Sequence, residues 1–301
     1  MPRRIAVVDM GSNTLKFSIT EVDDAGGERV IHAHAETVRL GAGVAVSGSI
    51  DPERFDRALA ALRDYEAIAR SFDVDACVGV ATAALRMARN GADLLDRIGG
   101  TTGWTVHVVS GQEEAQLAFE GLVRSLPEQG NSLLVDIGGG STELIQVADR
   151  KLIASESIDV GSGTLADRCF TSDPPGLPAV HDALRVAKEE LSGSTVMPNA
   201  EAARVVLSGG NGQFLKSFAE WPAIAIPFTP DRFHDVLPAI ASRASHDLAR
   251  YLDIAQERAR MLPAGAAIAM VVIERTRPVK IEAAPSGIRG GLVARWIASH
   301  P

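Results

Sequence analysis

The sequence predicts an α/β protein built from two copies of one folding unit. Two hydrophobic stretches, 4–10 and 132–137, each contain an Asp that a glycine follows two residues later, and each continues into a second strand-like stretch. In both halves a third strand-like stretch follows, and then helical and strand-like stretches alternate. The repeated Asp-x-Gly turn favours a duplicated βββαβ unit whose copies face each other across a cleft. The order of elements alone would also permit two unrelated α/β domains.

The first half of the chain contains three helical stretches between its strands. A helix is predicted over Asp51–Phe72, because Asp51 can cap it, Pro52 suits its first turn, and apolar residues recur at helical spacing. Residues 84–98 are mostly helical, and Ser110 and Gly111 introduce an amphipathic helix at Gln112–Leu126. β-branched and alternating stretches predict strands at 4–10, 14–22, 29–40, 74–82 and 104–109.

The second half repeats this order after a short polar connector at 127–131. Strands are predicted around the glycines of 132–147 and at 151–160, 203–208 and 279–284. A breaker-rich loop at 172–178 leads to a helix that includes 183–191, and further helices are expected from 211, over 230–252 with an interruption near Pro238, at 264–274 and at 288–300. We therefore predict two domains, 1–127 and 128–301, with the last helix able to pack back on the first.

Composition excludes several classes of protein. Of the 301 residues, 46% are hydrophobic and 23% charged, which is typical of a folded globular chain and excludes a mostly disordered one. The net charge of −8 argues against general nucleic-acid binding, which requires clustered Lys and Arg. The two cysteines, Cys77 and Cys169, lie in apolar surroundings and are expected to be buried thiols. No apolar run approaches the roughly 20 residues of a membrane span, so we expect a cytoplasmic protein without membrane contact.

The two glycine turns are candidate phosphate sites. A strand–Gly–strand turn can present consecutive N–H groups to phosphate oxygens, and glycine leaves room for the approach. Asp9 and Asp136 cannot bind phosphate directly, and their natural partner is Mg²⁺. The alternative is a tight hairpin in which Asp caps the turn. The candidate phosphate ligands are Gly11, Ser12, Asn13, Thr14, Gly138, Gly139, Gly140, Ser141 and Thr142.

Six segments together resemble one protein family. VDMGSNT, VRLGAG, ATAALRMARN, SGQEEA, VDIGGGSTE and LSGG occur in the order and spacing of the Ppx/GppA phosphatases, which are exopolyphosphatases and guanosine pentaphosphate phosphohydrolases. The resemblance runs from Ile5 to the last predicted helix. It implies two ribonuclease-H-like domains, as in actin, sugar kinases and Hsp70, with the active site between them. The chain looks like a short member without the helical HD-type region, and a homodimer is plausible.

The resemblance also implies roles for single residues. Glu114 matches the family's catalytic glutamate, and the adjacent Glu113 is expected to be a surface residue. Glu143 resembles the second acidic residue, which binds metal or orients water, so Asp9, Asp136 and Glu143 are the expected metal ligands. Arg86 matches the arginine that faces the phosphates, whereas Arg89 is expected at the surface and Arg39 is a weaker phosphate candidate.

Two further segments differ from the family pattern. Gly209, Gly210 and Asn211 lie where members have a Gly-Gly turn often followed by Thr, and we expect them near phosphate. Gly290 lies where members commonly have Glu.

His32 and His34 form an HxH pair without a third ligand, so we expect them to lie on a solvated strand face. No GxSxG or GxxxxGK[ST] signature is present.

These observations lead to one preferred function and three alternatives. We expect Mg²⁺-dependent release of terminal phosphate from inorganic polyphosphate, with Glu114 activating water and Arg86 and the glycine turns holding phosphates. Guanosine pentaphosphate is the alternative substrate for the same reaction. A small-molecule kinase of the same fold is disfavoured, because a glutamate placed for water serves hydrolysis. A non-enzymatic nucleotide-binding protein ranks last, because Glu114 is present.

Overall fold

In a computed structural model the chain divides into two compact units, described here over residues 2–23, 26–197, 204–285 and 287–300. Unit 1 comprises Met1–Gly121 and Ile288–Pro301, and unit 2 comprises Leu122–Gly287. The division falls at Gly121, six residues before the predicted boundary at 127, and the C-terminal helix is part of unit 1.

The first half of the chain begins with a three-stranded meander. Asp51 caps the long helix that follows, accepting hydrogen bonds from the N–H groups of Glu53 (3.1 Å) and Arg54 (3.3 Å) as expected of an N-cap aspartate. The elements are β1 (Arg3–Met10), β2 (Thr14–Val22), β3 (Glu28–Thr37), α1 (Val44–Ser47), α2 (Pro52–Ser71), β4 (Ala76–Ala81), α3 (Ala83–Met87), α4 (Gly91–Thr101), β5 (Thr105–Val108) and α5 (Gly111–Leu122).

The second half repeats the meander and adds more helices. Short 3₁₀ turns occur at Val123–Ser125 and Phe233–Asp235. The elements are β6 (Asn131–Ile137), β7 (Thr142–Ala148), β8 (Lys151–Ile158), α6 (Ser162–Cys169), α7 (Gly176–Leu191), β9 (Arg204–Ser208), α8 (Gly209–Ala219), α9 (Val236–Ala241), α10 (Ser245–Leu252), α11 (Gln256–Ala259), α12 (Leu262–Thr276), β10 (Lys280–Ala283) and α13 (Gly287–Ser299).

Each unit contains a five-stranded sheet with the same strand order. In unit 1 the order is β3-β2-β1-β4-β5, and in unit 2 it is β8-β7-β6-β9-β10. The three meander strands are antiparallel in both, and the last two strands run parallel to the first. The predicted fold class, a duplicated ribonuclease-H-like α/β fold, is therefore confirmed.

Strand alternation gives each sheet two distinct faces. In unit 1, Ala6, Val8 and Met10 of β1 join the core that packs against α2 and α4. Ile5 and Val7 point to the other face, which Val293 and Trp296 of α13 cover. In unit 2, alternate residues of β6 and β9 join a larger core with α7, α8 and α12. Side chains alternate along a strand. Asp9, near the end of β1, and Asp136, near the end of β6, therefore lie on the sheet face opposite the main core of their unit.

Helices α6 and α9 differ from the sequence expectations, and the short helices α1 and α11 were not predicted either. Helix α6 was not predicted, because its small and polar residues lack a clear apolar period. The interruption expected near Pro238 falls after Ala241 instead. Pro238 is tolerated because it lies in the first turn of α9, where backbone N–H groups have no intrahelical partner. Among the helices of the described residues, none combines the length and hydrophobicity required to span a membrane.

Candidate active site

The first glycine turn joins β1 to β2 in unit 1. The N–H of Gly11 donates to the carbonyl oxygen of Thr14 at 3.2 Å. A Cβ at Gly11 would lie 3.1 Å from that oxygen, so a larger residue would crowd the turn. The side chains of Ser12 and Thr14 are buried, whereas Asn13 is half-buried. The turn thus has the compact backbone that a phosphate-binding loop requires, and its ligand role stays a prediction.

The VRLGAG segment braces this turn through its backbone. The N–H groups of Arg39 and Gly41 donate to the carbonyl oxygens of Asn13 and Ser12, both at 2.8 Å. Arg39 has a left-handed backbone (φ 58°), and a Cβ at Gly41 would lie 2.9 Å from Ser12 Cβ. The segment therefore supports the first glycine turn, and the close approach to Ser12 explains the glycine at position 41. The assignment of the Arg39 guanidinium to phosphate stays a prediction.

Asp9 is buried at the end of β1 with a lysine beside it. Its side chain is 2% exposed, and its Oδ2 lies 3.4 Å from Lys16 Nζ on β2. Its other oxygen, Oδ1, is buried without a hydrogen-bond partner among the described residues. Lys16 therefore contacts one oxygen of the carboxylate, and the assignment of Asp9 to a metal ion stays a prediction.

The structure brings Arg86 and Glu114 together in unit 1. Arg86 Nη1 lies 3.2 Å from Glu114 Oε2, with the two side chains 24% and 6% exposed. The same Nη1 donates to the carbonyl oxygen of Val109 at 2.9 Å. Ser110 caps α5, accepting the N–H of Glu113 at 3.1 Å, which places Glu114 in the first turn of the helix. Two residues far apart in sequence thus form one partly buried, charged pair.

The neighbours of this pair are at the surface. Glu113 is exposed and lies 3.7 Å from Arg295 on α13, so its orientation differs from that of Glu114 as helix geometry requires. Arg89 is exposed and donates to the carbonyl oxygen of Ser47 at 2.8 Å. Their positions agree with the surface roles expected for both.

The second glycine turn joins β6 to β7 in unit 2. Its closing hydrogen bond runs from Gly138 N–H to the Ser141 carbonyl at 2.9 Å, as in the first turn. Backbone N–H groups at the start of α6 bond to the turn: Ser162 donates to Gly138 O, and Gly163 donates to Gly139 O, both at 2.9 Å. A Cβ at Gly161 would lie 2.5 Å from the carbonyl carbon of Gly139. Sequence reasoning missed this support, although the small residues GSGT at 161–164 were a signal.

Two residues predicted to bind phosphate have their side-chain donors engaged within unit 2. The Thr142 hydroxyl is fully buried and donates to the Val160 carbonyl at 2.6 Å. Asn211 Nδ2 donates to the Ile137 carbonyl at 2.7 Å and to Ser162 Oγ at 3.2 Å. Both side chains therefore help to hold the second turn in place, and the phosphate role expected of these two residues stays a prediction.

The acidic pair of unit 2 lies in a row of oxygen donors. The strand register places Glu143 opposite Asp136, and Ser208 on the other side of Asp136. Asp136, Glu143 and Ser208 are all buried, and Ser208 Oγ has no hydrogen-bond partner in the described part of the chain. Ser157 Oγ donates to Glu143 Oε1 at 2.8 Å. This donor set has the chemistry that Mg²⁺ prefers.

Glycine keeps space open beside Asp136. Gly209, the first residue of α8, has φ 75°, and a Cβ there would lie 2.6 Å from Asp136 Oδ1. At Gly210, a Cβ would collide with the guanidinium of Arg258, which also lies 4.5 Å from the ring centroid of Phe214. Arg258 is thus a cation at the Gly-Gly turn that sequence reasoning did not find, because no motif surrounds it.

The structure shows the neighbours of the two residues of the HxH pair and of Gly290. His32 is half-buried between the rings of Phe17 and Phe72, at 5.7 and 5.5 Å, so its half of the HxH pair is not solvated as expected; His34 is exposed. Within the described residues, no group of three or more His, Cys, Asp or Glu side chains could hold a metal ion. Gly290 of α13 faces Gly121 of α5, since a Cβ there would lie 3.1 Å from Gly121 Cα.

Two α/β units with one strand order, each with a glycine turn after a buried aspartate, define a protein with duplicated ribonuclease-H-like units. The model of the Ppx/GppA phosphatase family matches residues 18–300, and the chain belongs to that family.

Named relatives agree with this membership. The chain is 36% identical over 197 residues to exopolyphosphatase 2 of Mycobacterium tuberculosis, covering 62% of this chain but only 61% of that relative. It is 27% identical over 307 residues to exopolyphosphatase 1 of Mycobacterium leprae, covering 99% of this chain and 90% of the relative. The crystal structure of an exopolyphosphatase from Cytophaga hutchinsonii has the same fold, with a TM-score of 0.87 at 23% identity over 99% of this chain and 98% of that one.

Proposed function

We propose that this chain is a phosphoanhydride hydrolase that removes terminal phosphate from inorganic polyphosphate. The observation that carries the proposal is the partly buried pair of Glu114 and Arg86, 3.2 Å apart. Membership of the Ppx/GppA family and similarity to two named exopolyphosphatases support the substrate. Guanosine pentaphosphate, which contains the same kind of bond, is the alternative substrate.

The reaction assigns different tasks to the two residues of the pair. Glu114 would orient a water molecule and take its proton as the water oxygen attacks the terminal phosphorus. The bond between that phosphorus and the bridging oxygen then breaks, and the shortened chain leaves with the bridging oxygen. Arg86 has five N–H donors, and Nη1 alone contacts both Glu114 and Val109. Its other donors would bind the phosphoryl oxygens, where charge develops.

Mg²⁺ is the cofactor that we propose for this reaction. Asp136 and Glu143 would hold it together with water and substrate oxygens, and the bound ion would neutralise phosphate charge. Support comes from the buried oxygen row of Asp136, Glu143 and Ser208, and from the open space that Gly209 leaves beside Asp136. The glycine turns would supply N–H groups to the phosphates.

We place this activity in the cytoplasm, as the free thiols suggest. Cys77 and Cys169 form no disulfide in the described structure, and burial raises the pKa of each thiol. Such thiols are stable in a reducing compartment.

The decisive experiment compares two adjacent glutamates. Phosphate release is measured with Mg²⁺ from polyphosphate of several lengths, guanosine pentaphosphate and ATP. Glu114→Gln is expected to abolish release, whereas Glu113→Gln, at an exposed position in the same helical turn, is expected to retain it. Full activity of Glu114→Gln would overturn its assignment. Release only from guanosine pentaphosphate would select the alternative substrate, and no release from any compound would refute the proposed activity.

A further inference from the structure

Strand β10 is a free edge of the sheet in unit 2. It is the last strand of the order β8-β7-β6-β9-β10, and within the described part of the chain no strand pairs with its outer side. Residues 280–285 all line an open groove of about 550 Å³. The remaining walls of the groove, which include Ser125, Leu126 and Phe228, belong to the same unit. A free edge of this kind presents backbone groups with which another strand can bond.

The backbone of β10 presents alternate residues to the groove. The N–H of Ala284 donates to the carbonyl oxygen of Leu207 at 3.0 Å, so the even-numbered residues of β10 direct their N–H and C=O groups to β9. Backbone groups alternate between the two sides of a strand. The N–H and C=O groups of Ile281 and Ala283 therefore face the groove. Pro285 has no N–H to donate, which limits the bonding edge to the residues before it.

The side chains of β10 have opposite charges two positions apart. Lys280 and Glu282 lie on the same face because side chains alternate, and Lys280 Nζ lies 2.7 Å from Glu282 Oε1, with the side chains 58% and 32% exposed. Arg204 on β9 contacts the other oxygen of Glu282 at 2.6 Å. Ile281 is buried on the opposite face, whereas Val279, just before the strand, is 76% exposed. An exposed apolar residue thus adjoins a free strand edge.

We propose that β10 pairs in antiparallel orientation with β10 of a second copy of this chain, with the two-fold axis at Ile281. The two Ile281 residues then form a hydrogen-bonded pair and exchange both backbone hydrogen bonds. Lys280 of each copy lies opposite Glu282 of the other, and Val279 lies opposite Ala283. The sheets of the two copies become one continuous sheet, and the exposed Val279 gains a neighbour.

The order of charges favours β10 over the other free edges. Two identical antiparallel strands related by a two-fold axis align only residues that are an even number of positions apart, because residues an odd number apart point to opposite faces. In β8, Lys151 and Glu156 are five positions apart. In β3, Arg29 is one position from Glu28 and seven from Glu36. Strand β5 contains no acidic residue. Among the free edges that the structure describes, β10 is therefore the one whose charges are self-complementary.

The test reverses charges across the pairing in the full chain. Sedimentation velocity over roughly 1 µM to 1 mM protein would measure the dimer dissociation constant, since a short edge forms a weak dimer. Lys280→Glu is expected to raise this constant about 10-fold or more, because two symmetric pairs then oppose like charges. Adding Glu282→Lys to that variant restores opposite charges in the same register and should restore the dimer. Lys151→Glu, at the exposed start of the free edge β8, is the matched control and should leave the constant unchanged.

A backbone variant tests the hydrogen bonds separately. Ala283→Pro removes an N–H that faces the groove and retains the bonds between β10 and β9, so it is expected to abolish the dimer. Circular dichroism would establish that each variant is folded. If the double charge variant does not fold, Lys280→Glu and Ala283→Pro still provide the comparison.

Several results would overturn the inference. These are a wild-type protein that stays monomeric over the whole range, a dimer that Lys280→Glu leaves unchanged, and a folded double variant that dimerises no better than Lys280→Glu. Phosphate release has no part in this measurement. A monomeric enzyme would therefore refute the interface and leave the proposed function standing, and a dimer without activity would do the reverse.

Discussion

Arg86 contacts Glu114 and the backbone with one nitrogen atom. Its Nη1 lies 3.2 Å from Glu114 Oε2 and 2.9 Å from the carbonyl oxygen of Val109. Val109 lies just before α5, the helix that carries Glu114. The same stretch of chain therefore positions Glu114 and holds the guanidinium of Arg86. The pair is therefore positioned before a substrate arrives.

Replacement of Arg86 should impair turnover more than folding. Arg86→Ala is expected to lower kcat/KM for polyphosphate. The expected loss of transition-state stabilisation is about 2–4 kcal/mol, the cost of removing one donor from a developing charge. Steady-state kinetics would measure it. Arg89→Ala is the matched control, because Arg89 is an exposed residue of the same segment that contacts the Ser47 carbonyl. Equal kcat/KM in the two variants would remove Arg86 from the active site.

A methyl group at Gly161 should displace the second glycine turn. The added Cβ would lie 2.6 Å from Gly139 O and Gly140 N, which no relaxed structure accommodates. Gly161→Ala is expected to lower the free energy of unfolding by about 1–3 kcal/mol, as overpacking does, and to reduce kcat/KM. Urea denaturation and kinetics would test this. Gly193→Ala is the control, since its Cβ would meet nothing within 4 Å, and equal stability of both variants would contradict the prediction.

Gly290 should be required for the contact between α13 and α5. Glycine inside a helix normally costs about 0.5–1 kcal/mol relative to Ala, so Gly99→Ala, at an exposed position of α4, is expected to stabilise the protein. Gly290→Ala should lack this gain or destabilise, because its Cβ would lie 3.3 Å from the carbonyl oxygen of Gly121. Thermal melting of the two variants gives the comparison. A Gly290→Ala protein that melts as high as Gly99→Ala would refute the close packing.

Glu282 should make stability depend on acidic pH. Burial acts to raise the pKa of Glu282, but Lys280 and Arg204 outweigh it and hold the pKa below the usual value. A carboxyl whose folded-state pKa is lowered stabilises the protein above its unfolded pKa, and this contribution disappears as the pH falls through the folded pKa. Glu282→Gln should therefore lower the urea midpoint at neutral pH and match wild type in strong acid. The hypothesis fails if the two midpoints differ equally at both pH values.

The sequence predicted most of the fold, because strands and helices with strong apolar periodicity were recognisable. Strands β1 and β2 and the Asp51 cap are examples in which local chemistry and tertiary packing agree. Helix α6 escaped prediction since its function is to bond the second turn through Ser162 and Gly163. Small residues selected for close approach leave no apolar pattern from which a helix can be read.

The candidate site was only partly predictable for a related reason. Arg86, Glu114, Asp136 and Glu143 were proposed from the sequence because each lies within a motif of the family. Motifs did not reveal that the side chains of Asn211 and Thr142 donate hydrogen bonds to backbone carbonyls. These hydrogen bonds depend on the placement of β8 and α6. Nor could they show Arg258 over Gly210, or Lys16 beside Asp9. Such contacts require the strand register and the packing of distant helices.

Helix α13 has a consequence for the synthesis of the chain. It covers Ile5 and Val7 of β1 with Val293 and Trp296, which are synthesised only after the whole of unit 2. Unit 2 is one continuous stretch, Leu122–Gly287, and can close around its own core while translation continues. The sheet of unit 1 must wait with one apolar face open until α13 emerges. Premature termination just before residue 288 would thus leave this face of the sheet exposed and make the truncated protein a target for chaperones and proteases.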